Sequence, residues 1–87
     1  MRVSKTRNFK KHYKQRVVER DDKIFEYVVS KIIKHEPLEK NFKDHNLMGQ
    51  LKDFRKCHLK NDLLLIYQIL DNEIRLIDIG THADLFE

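Results

Sequence analysis

At 87 residues, with 40% hydrophobic and 37% charged side chains, the chain is sized for one single-core domain spanning 1–87 and excludes two. Its one cysteine, Cys57, excludes an internal disulfide, and no leader-like opening or apolar run of membrane-spanning length is found, so no membrane partner and a cytoplasmic location are expected. The net charge of +4 is uneven: residues 1–60 carry 17 Lys and Arg against 8 acids, whereas residues 61–87 carry one Arg against six, which points the leading part toward a polyanion.

In chain order, "MRV" suits an opening strand, and Ser4 or Thr6 can cap a helix running to about Val18, with Phe9, Tyr13 and Val17 on one face. This helix lies in the most basic stretch, residues 2–20, with eight Lys and Arg against one Glu, where Lys10, Lys11 and Lys14 are candidate RNA-phosphate contacts. A solvated helix face gives the same pattern. Phe9 and Tyr13, four apart, fit a core stripe better than a base-stacking platform. After "ERDD", the apolar positions Ile24, Val28, Ile32 and Phe25, Val29, Ile33 predict a second helix over 22–35, limited by Pro37. Residues 38–50 lack a period and contain Gly49, so they read as a structured loop.

Beyond Gly49 the pattern turns to strands: "KDFRKCHL", the apolar "DLLLIYQIL" and "EIRLIDI", with Asp71-Asn72 as the last turn. The expected fold class is α+β, two N-terminal helices packed on an antiparallel sheet of three to four strands. Whether Leu64, Ile66 and Leu76 or their alternates face the core stays open.

An up-down-up meander brings the end of its first strand, the start of its second and the end of its third to one sheet edge. These positions are His58, Asp62 and His82, with backbones within roughly 10 Å of one another. His45 precedes the first of these strands and is expected nearer the opposite edge unless the 38–50 loop folds back. Imidazoles beside a carboxylate suit paired acid–base work, and RNA carries its own nucleophile in the 2′-hydroxyl, so neither metal nor cofactor is called for. Arg55, Lys56 and Lys60 flank His58 and can offset charge at phosphorus. A zinc site of His45, His58, His82 and Asp62 lacks a close ligand pair, and Cys57 should face away from His58 as an inert thiol. His12 and His35 are expected to be ordinary surface or hydrogen-bonded residues.

"KDHNLMGQLKDFRKCHLKNDLLLIYQIL" and "GTHADLF" resemble the YafQ branch of the RelE/ParE superfamily of type II toxins, closely over residues 43–86. The resemblance implies a RelE-like fold and a ribosome-dependent messenger-RNA endonuclease that cuts the A-site codon against ribosomal RNA and stops translation. It further implies a DinJ-like antitoxin partner and a toxin that is monomeric when free. Its functional positions fall on His45, His58, Asp62, His82 and Phe86. By this likeness His45 and His82 act as general base and acid in either order, His58 and Asp62 position the phosphate or tune the imidazoles, and Phe86 stacks on a base. Two positions depart from the pattern: Asn46 where proline is frequent, and Leu63 where an aromatic residue is frequent. The ParE side of the superfamily, which binds DNA gyrase without cutting RNA, is the alternative; an RNA-binding regulator without cleavage is another. Loss of residues 82–87 is expected to disarm the protein at little cost to its core.

Overall fold

Thr6 opens the first helix as its residue type demands. Its hydroxyl accepts from the Phe9 amide at 3.0 Å while its own backbone is extended. The structure, a computed structural model, describes residues 1–49 and 53–86. Strand β1 (Arg2–Lys5) leads into helix α1 (Arg7–Arg16), and a 3-10 turn at Glu19–Asp21 into helix α2 (Asp22–Ile33). Helix α1 stops two residues earlier than its apolar period suggests, because Val17 and Val18 are extended, the backbone that β-branched side chains favour. Helix α2 closes on His35 at φ 58, with the His35 and Glu36 amides donating to the Ile32 and Lys31 carbonyls. His35 thus fills a left-handed capping position usually given to glycine.

The 38–50 segment is more ordered than a loop. It holds a 3-10 turn at Lys40–Phe42 and a two-residue strand, β2 (His45–Asn46). Strands β3 (Arg55–Lys60), β4 (Leu63–Leu70) and β5 (Glu73–Gly80) form the expected antiparallel meander, and a short helix α3 (His82–Phe86) follows. The sheet has five strands in the order β1-β5-β4-β3-β2, one more than expected. Nor is it wholly antiparallel, since β1 lies parallel to β5, with Arg2 opposite Glu73 and Lys5 opposite Leu76.

Helices α1 and α2 cover one face. Phe9, Val28, Val29 and Ile32 pack there with Cys57, Leu59, Leu65, Tyr67, Ile74, Leu76 and Ile79. The alternates of Leu64 and Ile66 are therefore the core residues of β4, with Leu76 joining them from β5. A bulge makes this possible: Ile66 pairs with Asp78 but Tyr67 with Leu76, so Ile77 is the extra residue and the inward set on β5 shifts from Ile74 and Leu76 to Ile79. No helix among the described residues is long and apolar enough to cross a membrane.

Candidate active site

Cys57 lies in the helix-covered core, so its neighbours Lys56 and His58 point to the opposite, open face. In β2, His45 pairs with Lys56, and directly opposed residues share a face. The loop has folded back. His45 stands on the strand beside β3, on the face that carries His58, with a diagonal Cβ separation of about 7 Å for such neighbours.

At the end of the meander, His58 pairs with Leu64 and Leu64 with Gly80, so two strand spacings, about 10 Å, separate the backbones that end β3 and β5. Asp62 lies in the β3–β4 turn, and its Oδ1 accepts from the His82 amide at 3.0 Å. Thr81 and Asp84 cap α3 reciprocally: the Thr81 amide donates to Asp84 Oδ2 at 2.9 Å and the Asp84 amide to Thr81 Oγ1 at 3.1 Å. Helical spacing then stacks Phe86 on His82, ring centroids 5.2 Å apart, and Lys56 Nζ lies 5.0 Å from the Phe86 ring centroid. Because α3 leaves β5 yet reaches Lys56 on β3, it crosses β4. Leu64 and Ile66, on the face that α3 crosses, are buried although they belong to no helix-covered core. They stand outside that core, so the small cost expected for loss of residues 82–87 bears on the helix-covered core alone.

Two features set the protonation of the site. The His45 Nδ1 lies 2.6 Å from the Lys43 carbonyl oxygen, which can only accept, so Nδ1 carries the proton and neutral His45 presents a free Nε2 lone pair. Lys43 itself takes a left-handed backbone, φ 49, that turns its carbonyl to this use. Burial, together with the Lys43 and Lys56 ammonium groups, holds the His58 imidazole below its ordinary value and favours its neutral form. Cys57 takes no part: burial pushes its thiol up to about 12.

Three groups of candidate RNA contacts lie elsewhere. Arg55 is on the helix-covered side of β3, and its guanidinium is engaged by Asp44, Asn46 and Tyr67. Lys60 follows a bulge after His58, and its Nζ is drawn to Asp21 at 2.8 Å. Lys10, Lys11 and Lys14 are on α1, across the sheet from the imidazoles, where Lys10 and Lys14 rim a groove floored by Phe9, Tyr13 and Phe25. Only Lys56 of the basic candidates shares the site's face. His12 is tied to Asp78 at 2.6 Å, as a hydrogen-bonded structural residue would be.

Further residues shape the site. Arg16 donates from Nη1 to the Ile79 carbonyl at 3.0 Å, with its Nε 3.6 Å from Asp84, and so fastens α3 to α1. Gly80 leaves room for that clamp, since a Cβ there would lie 2.7 Å from Arg16 Nη1 and 2.9 Å from Asp84 Oδ2. The Gly of "GTH" was the available signal, but its spatial partner is far away in the chain. Among the described residues, no group of three or more His, Cys, Asp or Glu side chains is placed to hold a metal ion.

Residues 1–87 match the family described as "Bacterial toxin of type II toxin-antitoxin system, YafQ". The chain belongs to the YafQ toxin family. Among curated members, it is 44% identical over 50 residues to the mRNA interferase toxin YafQ of Escherichia coli K12, a stretch covering 58% of this chain and 54% of that protein. The match therefore spans about half the length of this curated YafQ. Solved structures align more fully. A metal-bound toxin from Helicobacter pylori is 41% identical with 99% of both chains covered and a TM-score of 0.89. The E. coli DinJ–YafQ complex supplies a chain 29% identical, with 100% of both chains covered and a TM-score of 0.84. The YafQ fold thus extends over the whole chain, the opening strand and both N-terminal helices included.

Proposed function

We propose that this protein is the toxin of a type II toxin–antitoxin pair and acts in the cytoplasm as a ribosome-dependent endonuclease on messenger RNA in the A site. The observation that carries the reading is the open sheet face, where His45, His58 and His82 gather with Lys56 and Phe86. The naming of its E. coli relative as an mRNA interferase supports it. A binding-only gyrase inhibitor has no use for such a set of imidazoles.

In this mechanism His45 Nε2, left free by the Nδ1–H bond to Lys43, removes the proton of the 2′-hydroxyl. The freed oxygen attacks the adjacent phosphorus, and protonated His82 gives its proton to the departing 5′-oxygen. Neutral His58 hydrogen-bonds the phosphate, and Lys56 offsets the charge that grows on its oxygens. Phe86 stacks on a base turned out of the codon. Asp62 acts through the backbone of His82, fixing where α3 begins. Lys10, Lys11 and Lys14, on the far side, contact ribosomal RNA and set affinity and its salt dependence. A DinJ-like antitoxin silences the protein, as suggested by the DinJ–YafQ complex.

Induced expression followed by mapping of messenger 5′ ends tests this. In-frame cuts that vanish with folded His82→Ala support it; intact messages with arrested replication would instead favour the gyrase reading.

A further inference from the structure

His45 stands on a strand of only two residues. So short a strand fixes its register weakly, and a slip of one residue would turn His45 onto the helix-covered side. The structure shows what prevents the slip. In one lateral row across three strands, Asn46 pairs with Arg55 and Arg55 with Tyr67. The Arg55 guanidinium reaches both neighbours of His45: Nη2 and Nε donate to the two carboxylate oxygens of Asp44 at 2.9 and 3.3 Å, and Nη1 donates to Asn46 Oδ1 at 2.6 Å. Tyr67, only 1% exposed on the central strand, donates its hydroxyl to Asp44 and accepts from Arg55 Nε at 3.3 Å. The cluster is thus anchored in the core.

We propose that Arg55 is a positioning residue for His45, gripping Asp44 on one side and Asn46 on the other so that the residue between them must face the open side of the sheet. Alternation supplies the logic, because holding two flanking side chains on one face forces the middle one to the other. Arginine suits this task and lysine does not, since a planar fork can serve partners on both sides while an ammonium is a single point. A direct RNA contact would need free donors on the open face, and the Nε and both terminal nitrogens of Arg55 already have partners across the sheet from it. The consequence for cleavage rests on the nuclease reading above; the effect on His45 itself does not.

The test compares Arg55→Lys and Asn46→Ala with the unaltered protein, using long-range 1H–15N spectra of the His45 ring and single-turnover cleavage of messenger RNA in programmed ribosomes. In the unaltered protein the spectra should report the Nδ1–H tautomer. Arg55→Lys should lose that signature and lower the maximal cleavage rate by about 10- to 100-fold, with the half-saturating toxin concentration changed less than about threefold, as expected of a misplaced reactive group. Asn46→Ala, which removes one bond of the grip, should do the same to a smaller degree, about three- to tenfold in rate. Should Arg55→Lys fail to fold, Asn46→Ala decides by the same two readouts. An unchanged His45 signature in a folded variant overturns the proposal. So does a rise in half-saturating concentration alone, the mark of a direct RNA contact. If the unaltered protein does not cleave, the nuclease reading fails, and the His45 spectra alone judge Arg55.

Discussion

The carboxylate of Asp62 accepts the backbone amide of His82 at 3.0 Å, across 20 residues of chain. The acid of the β3–β4 turn therefore sets the start of the helix that carries a site imidazole, rather than bonding the imidazole itself. Asp62→Asn keeps an oxygen acceptor and should retain cleavage within about tenfold, whereas Asp62→Ala loses a cap worth roughly 1 kcal/mol and should cost more than Asn does. Hydrogen exchange of the 82–86 amides should quicken in Asp62→Ala. Equal loss in both variants, with unchanged exchange, would show that the charge of Asp62 acts directly on substrate.

Gly80→Ala tests the clamp from α1. The added Cβ meets Arg16 Nη1 and Asp84 Oδ2, so Arg16 must release the Ile79 carbonyl or Asp84 must swing from Thr81. Thermal unfolding should show a loss of about 1–2 kcal/mol. Cleavage should fall as α3 shifts. Arg16→Ala should relieve much of the clash, so the double variant is expected to be less destabilised than the sum of the two single changes. Simple additivity would argue against the clamp.

Much of this was legible in the sequence because local periods carried it. Phe9, Tyr13 and the paired stripes of 22–35 announced α1 and α2, and the meander alone placed His58, Asp62 and His82 at one edge. The parallel pairing of β1 with β5 joins residues about 70 apart and leaves no local period. Strand β2 is too short to have one. Arg55 and Lys60 were misplaced for a related reason: the face of a β3 residue cannot be known until the core side is, and the bulge beyond His58 resets the alternation for Lys60. Lys10, Lys11 and Lys14 are exposed as expected, but only the packing of α1 shows that they lie across the sheet from the imidazoles.

The His58 titration should have its midpoint below the ordinary histidine value of about 6.5. Burial and the Lys43 and Lys56 charges favour its neutral form in the folded protein. The unfolded chain then binds the proton more readily, so this contribution to stability is complete above about pH 6.5 and is lost as pH falls through the lower folded midpoint. Lys56→Gln should raise the midpoint, as read from the His58 ring protons by NMR. A midpoint that stays put or drops would remove Lys56 from the electrostatics of the site.

A chain ending at Thr81 should be inactive and also less stable. It uncovers Leu64 and Ile66, at 1% and 8% exposure, and re-exposing one such side chain costs on the order of 2 kcal/mol. Denaturant unfolding checks this. The helix-covered core is separate from these two residues and should keep the shortened chain folded, with its far-ultraviolet spectrum largely retained.

The central claim is that His45 and His82 drive attack by the 2′-hydroxyl. Its most direct test is single-turnover cleavage in ribosomes programmed with a messenger carrying one 2′-O-methyl nucleotide at the mapped cut, beside its all-ribose twin. The twin should be cut to a 2′,3′-cyclic phosphate and a 5′-hydroxyl, and the methylated messenger should stay whole at that position. Cleavage of the methylated bond, or products ending in a 3′-hydroxyl and a 5′-phosphate, would contradict it.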